Sequence, residues 1–226
     1  MSTSLTDRVV AIAGAGGGLG PIVASRLAEA GALTALCDLD PSRLADLGPT
    51  AAHIHAADLL DPEAAVAWHD AVRSHFGRVD ALLHLVGGWR GGEPIATASL
   101  ADYAWLHDLL VRSLQHASRA FHDSIAASPH GRLVIVSSSQ AQAPEATNAG
   151  YAAAKAAAET WTMALADSFA RAGNGATANI IVVNAIGSDD SADPNLTPVS
   201  EIAAAIGWIC SDAAASMNGQ RLSLHR

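Results

Sequence analysis

Val9-Val-Ala-Ile-Ala13-Gly14-Ala-Gly-Gly-Gly18-Leu-Gly20-Pro21-Ile22 reads as a strand, a glycine turn and the start of a helix. The run Val9–Ala13 is short and wholly apolar, as a strand covered on both faces requires. Glycines at 14, 18 and 20 allow a tight turn and let backbone N–H groups approach a pyrophosphate at a helix N-terminus. Pro21 is tolerated in a first helical turn, where its missing N–H costs little. The spacing is G-x-x-x-G-x-G rather than G-x-G-x-x-G, and a plain strand-to-helix connection also uses glycine. The strand before and the helix after supply the context a nucleotide site demands.

The same alternation runs outward from this stretch. Strand candidates are Val9–Ala13, Leu33–Cys37, His53–Ala56, Ala81–Val86, Leu133–Ser137, Ala178–Val183 and Arg221–Leu224. Helix candidates lie between them at about 19–30, 41–47, 62–76, 99–127, 149–172 and 199–211. Strands and helices in turn, with continuous apolar strands, imply an α/β fold: a doubly wound parallel sheet of about seven strands with helices on both faces. No internal repeat or low-complexity linker divides the chain, and Gly187–Pro198 is its one clear polar loop. One domain spanning 1–226 is expected.

Composition excludes several classes. A net charge of −9, with arginines scattered rather than clustered, offers no footprint for nucleic acid or an anionic membrane. Half of the 226 residues are hydrophobic, enough for a large core. Cys37 and Cys210 match no metal-ligand spacing and read as small buried hydrophobes. His53 and His55 point to one side of a strand without a third ligand in sequence, so no metal is expected. The N-terminal apolar run is neither a signal peptide nor a membrane span, and the expected location is a reducing cytoplasm.

Two further features carry chemistry. Asp38 ends the second strand, eighteen residues beyond Gly20. A carboxylate there accepts hydrogen bonds from adenosine ribose hydroxyls and repels a 2′-phosphate, and neither Leu39 nor Asp40 is basic, so NAD is favoured over NADP. An Asp that simply caps a helix before Pro41 is also compatible with these residues. The second feature is Lys155, the one lysine of the chain, four residues after Tyr151. On a helix the two share a face, and a nearby ammonium favours phenolate, as an acid/base working near neutrality needs. A helix with a solvated lysine is the plain alternative.

These residues, in this order, resemble the short-chain dehydrogenase/reductase superfamily, in its compact single-domain form. The resemblance covers nearly the whole chain: the 14/18/20 glycines, Asp38, Asp58-Leu59, a serine-ended fifth strand and Tyr-x-x-x-Lys. It implies an NAD(P)-dependent oxidoreductase that interconverts a secondary alcohol and a ketone. Tyr151 would exchange the proton, Lys155 would lower its pKa and bind the nicotinamide ribose, and Ser138 would steady the oxyanion. Gly14, Gly18, Leu19, Gly20, Asp38, Asp58, Leu59, Val86 and Gly87 would bind the cofactor with Tyr151 and Lys155. Helices 99–127 and 149–172 match those that build oligomer interfaces in this family, which implies a homodimer or homotetramer.

Four positions depart from the family pattern. Ala13 stands where Thr is usual, His84-Leu85-Val86-Gly87 replaces Asn-Asn-Ala-Gly, Leu110 takes the place of a relay asparagine, and Val183-Asn184 replaces Pro-Gly. An altered supporting shell keeps a second reading open: a catalytically weak dinucleotide-binding sensor or assembly subunit. A sugar-nucleotide epimerase would need a longer C-terminal substrate domain. On the substrate side, Trp89, Arg90, Gln140 and Gln142 sit near the expected mouth, with Arg90 a candidate for a substrate carboxylate or a solvated loop residue.

Overall fold

A computed structural model describes residues 4–224 of the chain. Seven parallel strands form its main sheet: β1 (Val9–Ala13), β2 (Leu33–Asp38), β3 (His53–Ala56), β4 (Ala81–His84), β5 (Arg132–Ser138), β6 (Thr177–Val183) and, later in the chain, β9 (Arg221–Ser223). Their order across the sheet is β3-β2-β1-β4-β5-β6-β9, so the direction of winding reverses between β1 and β4. Beyond that reversal the connections on the two halves run to opposite sides, and a crevice opens at the carboxyl ends of the central strands.

Alternation within each strand explains the continuous apolar runs. Val9, Ala11 and Ala13 enter one core with Leu133, Ile135, Ile180 and Val182. Val10 and Ile12 enter the other with Val134 and Ile181. Successive side chains point to opposite faces, and both faces are covered, so apolar residues predominate on both. The first core is closed by α2 (Pro62–Phe76), α4 (Ser113–Ala127) and α5 (Ala149–Ala172), with the Trp68 and Phe121 rings 4.6 Å apart between α2 and α4. The second is closed by α1 (Gly20–Glu29) and α6 (Val199–Cys210). Burying each large side chain contributes about 1.5–3 kcal/mol.

Local chemistry sets several ends. Asp61 caps α2 by accepting from Glu63 N at 2.8 Å, Pro62 opens the helix, and Gly77 closes it at φ +77°. The last carbonyls of α6 are held by two buried arginines: Arg8 donates to the Cys210 carbonyl at 2.5 Å and Arg132 to the Ile209 carbonyl at 3.2 Å. Cations suit that end of the helix dipole. At the same edge of the sheet buried Asp80 accepts from Val9 N at 2.9 Å and from Ser128 Oγ at 2.6 Å, tying β1 to the approach to β5.

Three elements differ from the sequence expectation. The segment read as a helix at 41–47 is a 3-10 helix, Pro41–Thr50. The long helix expected over 99–127 is α3 (Leu100–His107) and α4 joined by a π turn at Asp108–Arg112, where one extra residue per turn widens the backbone. The polar loop at 187–198 is flanked by two short strands, β7 (Ala185–Gly187) and β8 (Leu196–Pro198), which pair in parallel. Among the described residues no helix is long and apolar enough to cross a membrane.

Candidate active site

The crevice holds a cavity of about 1120 Å³. Its floor is the loop that follows β1. Gly14 turns there at φ +75°, and a Cβ on it would stand 2.8 Å from Val86 N, so the backbones of this loop and of the segment after β4 pass in contact. Gly20 lies under the turn, where a Cβ would overlap the Ala15 carbonyl. Gly18 is open on its outer side, with no atom within 4 Å of a Cβ position. The result is a cradle of bare backbone at the N-terminus of α1, which suits a pyrophosphate.

Every residue assigned to the cofactor from sequence lines this cavity except Gly20, which shapes the loop from beneath. Asp38 stands at one end, accepting from Gly16 N at 3.0 Å and from Asp40 N at 3.2 Å. Asp58 and Leu59 follow β3; the Asp58 carboxylate accepts from Leu60 N at 2.9 Å and Leu59 is buried. Val86 and Gly87 line the middle.

Ser138, Tyr151 and Lys155 close the opposite end. Ser138, at the end of β5, lines the cavity with Tyr151, and its hydroxyl accepts from Gln140 N at 3.3 Å while acting to lower the Tyr151 pKa. Ser137 Oγ is buried, lines the same cavity and has no hydrogen-bond partner. An orphaned hydroxyl toward one end, a glycine cradle on the floor and a carboxylate at the other end form a polar lining that fits a dinucleotide. Lys155 is buried in α5 and donates to the Val136 carbonyl at 2.8 Å, with its ammonium 5.8 Å from the Tyr151 ring centroid.

The electrostatics differ from the simple expectation. Burial raises the Tyr151 pKa, and the hydrogen bond from Ser138, rather than the ammonium, pulls it back. Burial also drives Lys155 down to about 8, partly offset by the Glu159 carboxylate one turn along. His84, at the end of β4, falls to about 3 through burial and then the Lys155 charge, so its ring is neutral. His84 Nε2 lies 3.0 Å from Ser113 Oγ, and that hydroxyl donates to the Leu109 carbonyl at 2.5 Å.

The four departures are all accommodated by packing. Ala13 is buried between Cys37 and His84, its partners on the flanking strands. Leu110 packs with Leu106, Val111 and Ala154 in a small apolar cluster behind Leu109 and Tyr151, and is not itself a lining residue. From that stretch of helix the cavity receives Leu109 and Ser113 instead. Leu85 and Val183 line the wall as apolar surface.

Two candidates on the substrate side are engaged elsewhere. Arg90 remains 45% exposed in its side chain, but it bonds Asp102 at 2.7 Å and lies 3.9 Å over the Trp105 ring. Gln142 is turned into the protein, donating to Glu159. Gln140 and Trp89 do line the cavity, and Trp89 donates to Asn148 at 3.2 Å. Sequence reasoning missed Arg43, which lies against Gly16 at the Asp38 end, and Asn184–Ser188, which form the wall after β6. Away from the cavity, a third imidazole, His75, does approach His53, at 5.1 Å between ring centroids. Among the described residues no group of three ligands could hold a metal. Cys37 and Cys210 are free and buried, and burial pushes both thiols up to about 12.

Lys155 makes stability depend on pH with a definite sign. Its folded pKa lies below its unfolded value of 10.5. Below about 8 it is protonated in both states and the full cost of the buried charge is present. Between about 8 and 10.5 only the unfolded chain keeps the proton, so stability rises with pH. The cost is on the order of 3 kcal/mol. Lys155→Met is therefore expected to be more stable than the parent at pH 7, with the advantage shrinking by pH 10.5, as chemical denaturation at the two pH values will show.

Comparison with known proteins agrees with this geometry. Residues 8–193 match the family model for short chain dehydrogenase. The 2,3-dihydroxy-2,3-dihydro-p-cumate dehydrogenase of Pseudomonas putida is 26% identical over 98% of this chain and 94% of its own length. The hydroxynaphthalene reductase of Aspergillus fumigatus is 30% identical over 82% of this chain and 68% of its own. Among solved structures, an NADPH-bound short chain oxidoreductase from Pseudomonas aeruginosa with an atypical catalytic center superimposes with a TM-score of 0.90, at 24% identity, over 98% of this chain and 96% of that one. With a seven-stranded doubly wound sheet, a glycine cradle and a family match over most of its length, this chain belongs to the short-chain dehydrogenase/reductase superfamily of NAD(P)-dependent oxidoreductases.

Proposed function

We propose that the protein is an NAD-dependent enzyme that interconverts a secondary alcohol on a ring and the corresponding ketone, with the whole chain acting as one binding and catalytic unit. The observation that carries this reading is the convergence of Ser138, Tyr151 and Lys155 on one wall of the cavity whose floor is the Gly14–Gly18 loop. The ring preference is supported by two relatives named for hydroxylated ring compounds and by apolar walls at Leu85, Leu109, Trp89 and Ile186.

Bound nicotinamide dinucleotide supplies the hydride acceptor for alcohol oxidation or the donor for ketone reduction. The chain's own groups handle the proton. Tyr151 takes it from the alcohol oxygen in one direction and returns it in the other. Ser138 donates a hydrogen bond to the same oxygen, where negative charge develops. Lys155 binds the nicotinamide ribose and, once drawn toward the phenol, favours its ionised form. Asp38 takes the adenosine ribose hydroxyls and disfavours a 2′-phosphate; Arg43, at the same end, is the one feature that favours NADPH. Tight NADH binding that weakens in Asp38→Ala, followed by fluorescence, is the expected result. Tighter binding of NADPH would reverse the cofactor assignment and point to Arg43.

A weakly active dinucleotide-binding subunit is the second reading, favoured by the apolar packing of Leu110. Tyr151→Phe separates the two. It is expected to abolish turnover of cyclic alcohols while leaving NADH affinity within a few-fold. A parent protein that binds NADH and turns over no cyclic alcohol or ketone supports the second reading.

The assembly we assign is a homodimer or homotetramer built on α4 and α5. Exposed Ala153 and Ala164 and half-buried Ala157 give α5 a smooth outer face that allows close helix approach. Buried reduced thiols support the cytoplasmic assignment. Light scattering at micromolar concentration is expected to give two or four times the 23.0 kDa chain mass, and a monomeric mass would exclude the assembly.

A further inference from the structure

Helix α5 carries three ionisable side chains in a line, Tyr151, Lys155 and Glu159, each four residues beyond the last. The third has no role in the reading above. Glu159 is only 2% exposed, a burial that a carboxylate tolerates when paired and hydrogen-bonded. Its oxygens accept from Gln142 Nε2 at 2.7 and 2.6 Å and from Arg221 Nε at 2.6 Å. Gln142 follows the turn Ser139–Ala141 that leaves Ser138, and Arg221 opens β9. One carboxylate therefore joins the catalytic helix, the turn after the catalytic serine and the last strand.

The surroundings of Lys155 explain what that carboxylate does electrically. Tyr151 and Glu159 face it from its own helix, His84 from β4, and the Val136 carbonyl from β5. His84 is neutral and the phenol is protonated at neutral pH. Among the described residues Glu159 is the one opposite charge acting on the buried ammonium. Arg221 is 40% exposed in its side chain, so water screens its pull on the carboxylate more than it screens the carboxylate's pull on Lys155.

We propose that Glu159 is a positioning residue for this site: its carboxylate keeps Lys155 protonated and moors the turn after Ser138 to α5 and β9. The proposal rests on the assignment of Tyr151 and Lys155 as the reacting pair. It gives the chain an internal source for the negative charge that stabilises the ammonium before any cofactor arrives.

Having one lysine makes the test direct. Protein labelled with 13C,15N-lysine has a single side-chain signal, and its pH titration by NMR reads Lys155 alone, without cofactor or substrate. Glu159→Gln is expected to lower the titration midpoint by about one pH unit, a tenfold loss of proton affinity. Glu159→Asp, which keeps the charge, is expected to stay within a few tenths of the parent. An unchanged midpoint in Glu159→Gln would overturn the proposal. Should that variant not fold, Arg221→Gln tests the same field with the opposite sign: releasing the carboxylate from the guanidinium raises the Lys155 midpoint, and a fall overturns the proposal. NADH titration of the same samples is independent of this readout. Loss of binding in the parent would sink the functional reading and leave the Lys155 titration untouched.

Discussion

Where β1 ends, two stretches of backbone pass each other in direct contact, and the site depends on that passage. Gly14 lies against Val86 and Gly20 against the Ala15 carbonyl, at distances that leave no room for a Cβ. The contact lets the loop turn tightly at the point where the sheet changes its direction of winding. The cavity lies above this point because nothing else fills the gap between the diverging connections. Cofactor selectivity, the reacting groups and the substrate walls are all arranged around the space that the close approach leaves open.

The second constraint is electrostatic. One buried ammonium organises the other ionisable groups near it: it helps keep His84 neutral, it is steadied by Glu159, and it donates to the Val136 carbonyl. A buried charge of this kind is costly for the fold. A methionine of similar volume would fill the same space without the desolvation cost. Tyr151 stays in its neutral form in this arrangement, held up by burial and eased by Ser138.

Much of this was legible in the chain because it rests on local pattern. The apolar runs that became β1, β5 and β6 are continuous because both faces of the sheet are covered, and that signal needs no tertiary knowledge. Glycines 14, 18 and 20 announce a turn whatever surrounds it. The i,i+4 spacing places Tyr151 and Lys155 on one face. Partners distant in sequence were not legible. Arg90 looks free in its glycine-rich loop, yet Asp102 and Trp105 hold it from a helix whose placement the loop does not encode. Gln142 looks like a substrate contact until Glu159, seventeen residues on, turns it inward. The π turn at Asp108–Arg112 was invisible because one extra residue in a helical turn leaves the apolar periodicity nearly unchanged, and from this stretch Leu109 and Ser113 rather than Leu110 line the cavity.

The burial of the one lysine also shapes the protein's outer chemistry. Lys155 is 8% exposed, and every other strongly basic side chain of the 226-residue sequence is an arginine. The folded surface between residues 4 and 224 therefore presents guanidinium groups, and its one ε-amine is reached only through the cavity. Lysine-directed conjugating enzymes meet no ε-amine on that outer surface. A ubiquitin-type mark on that side-chain amine would first require α5 to open and expose Lys155.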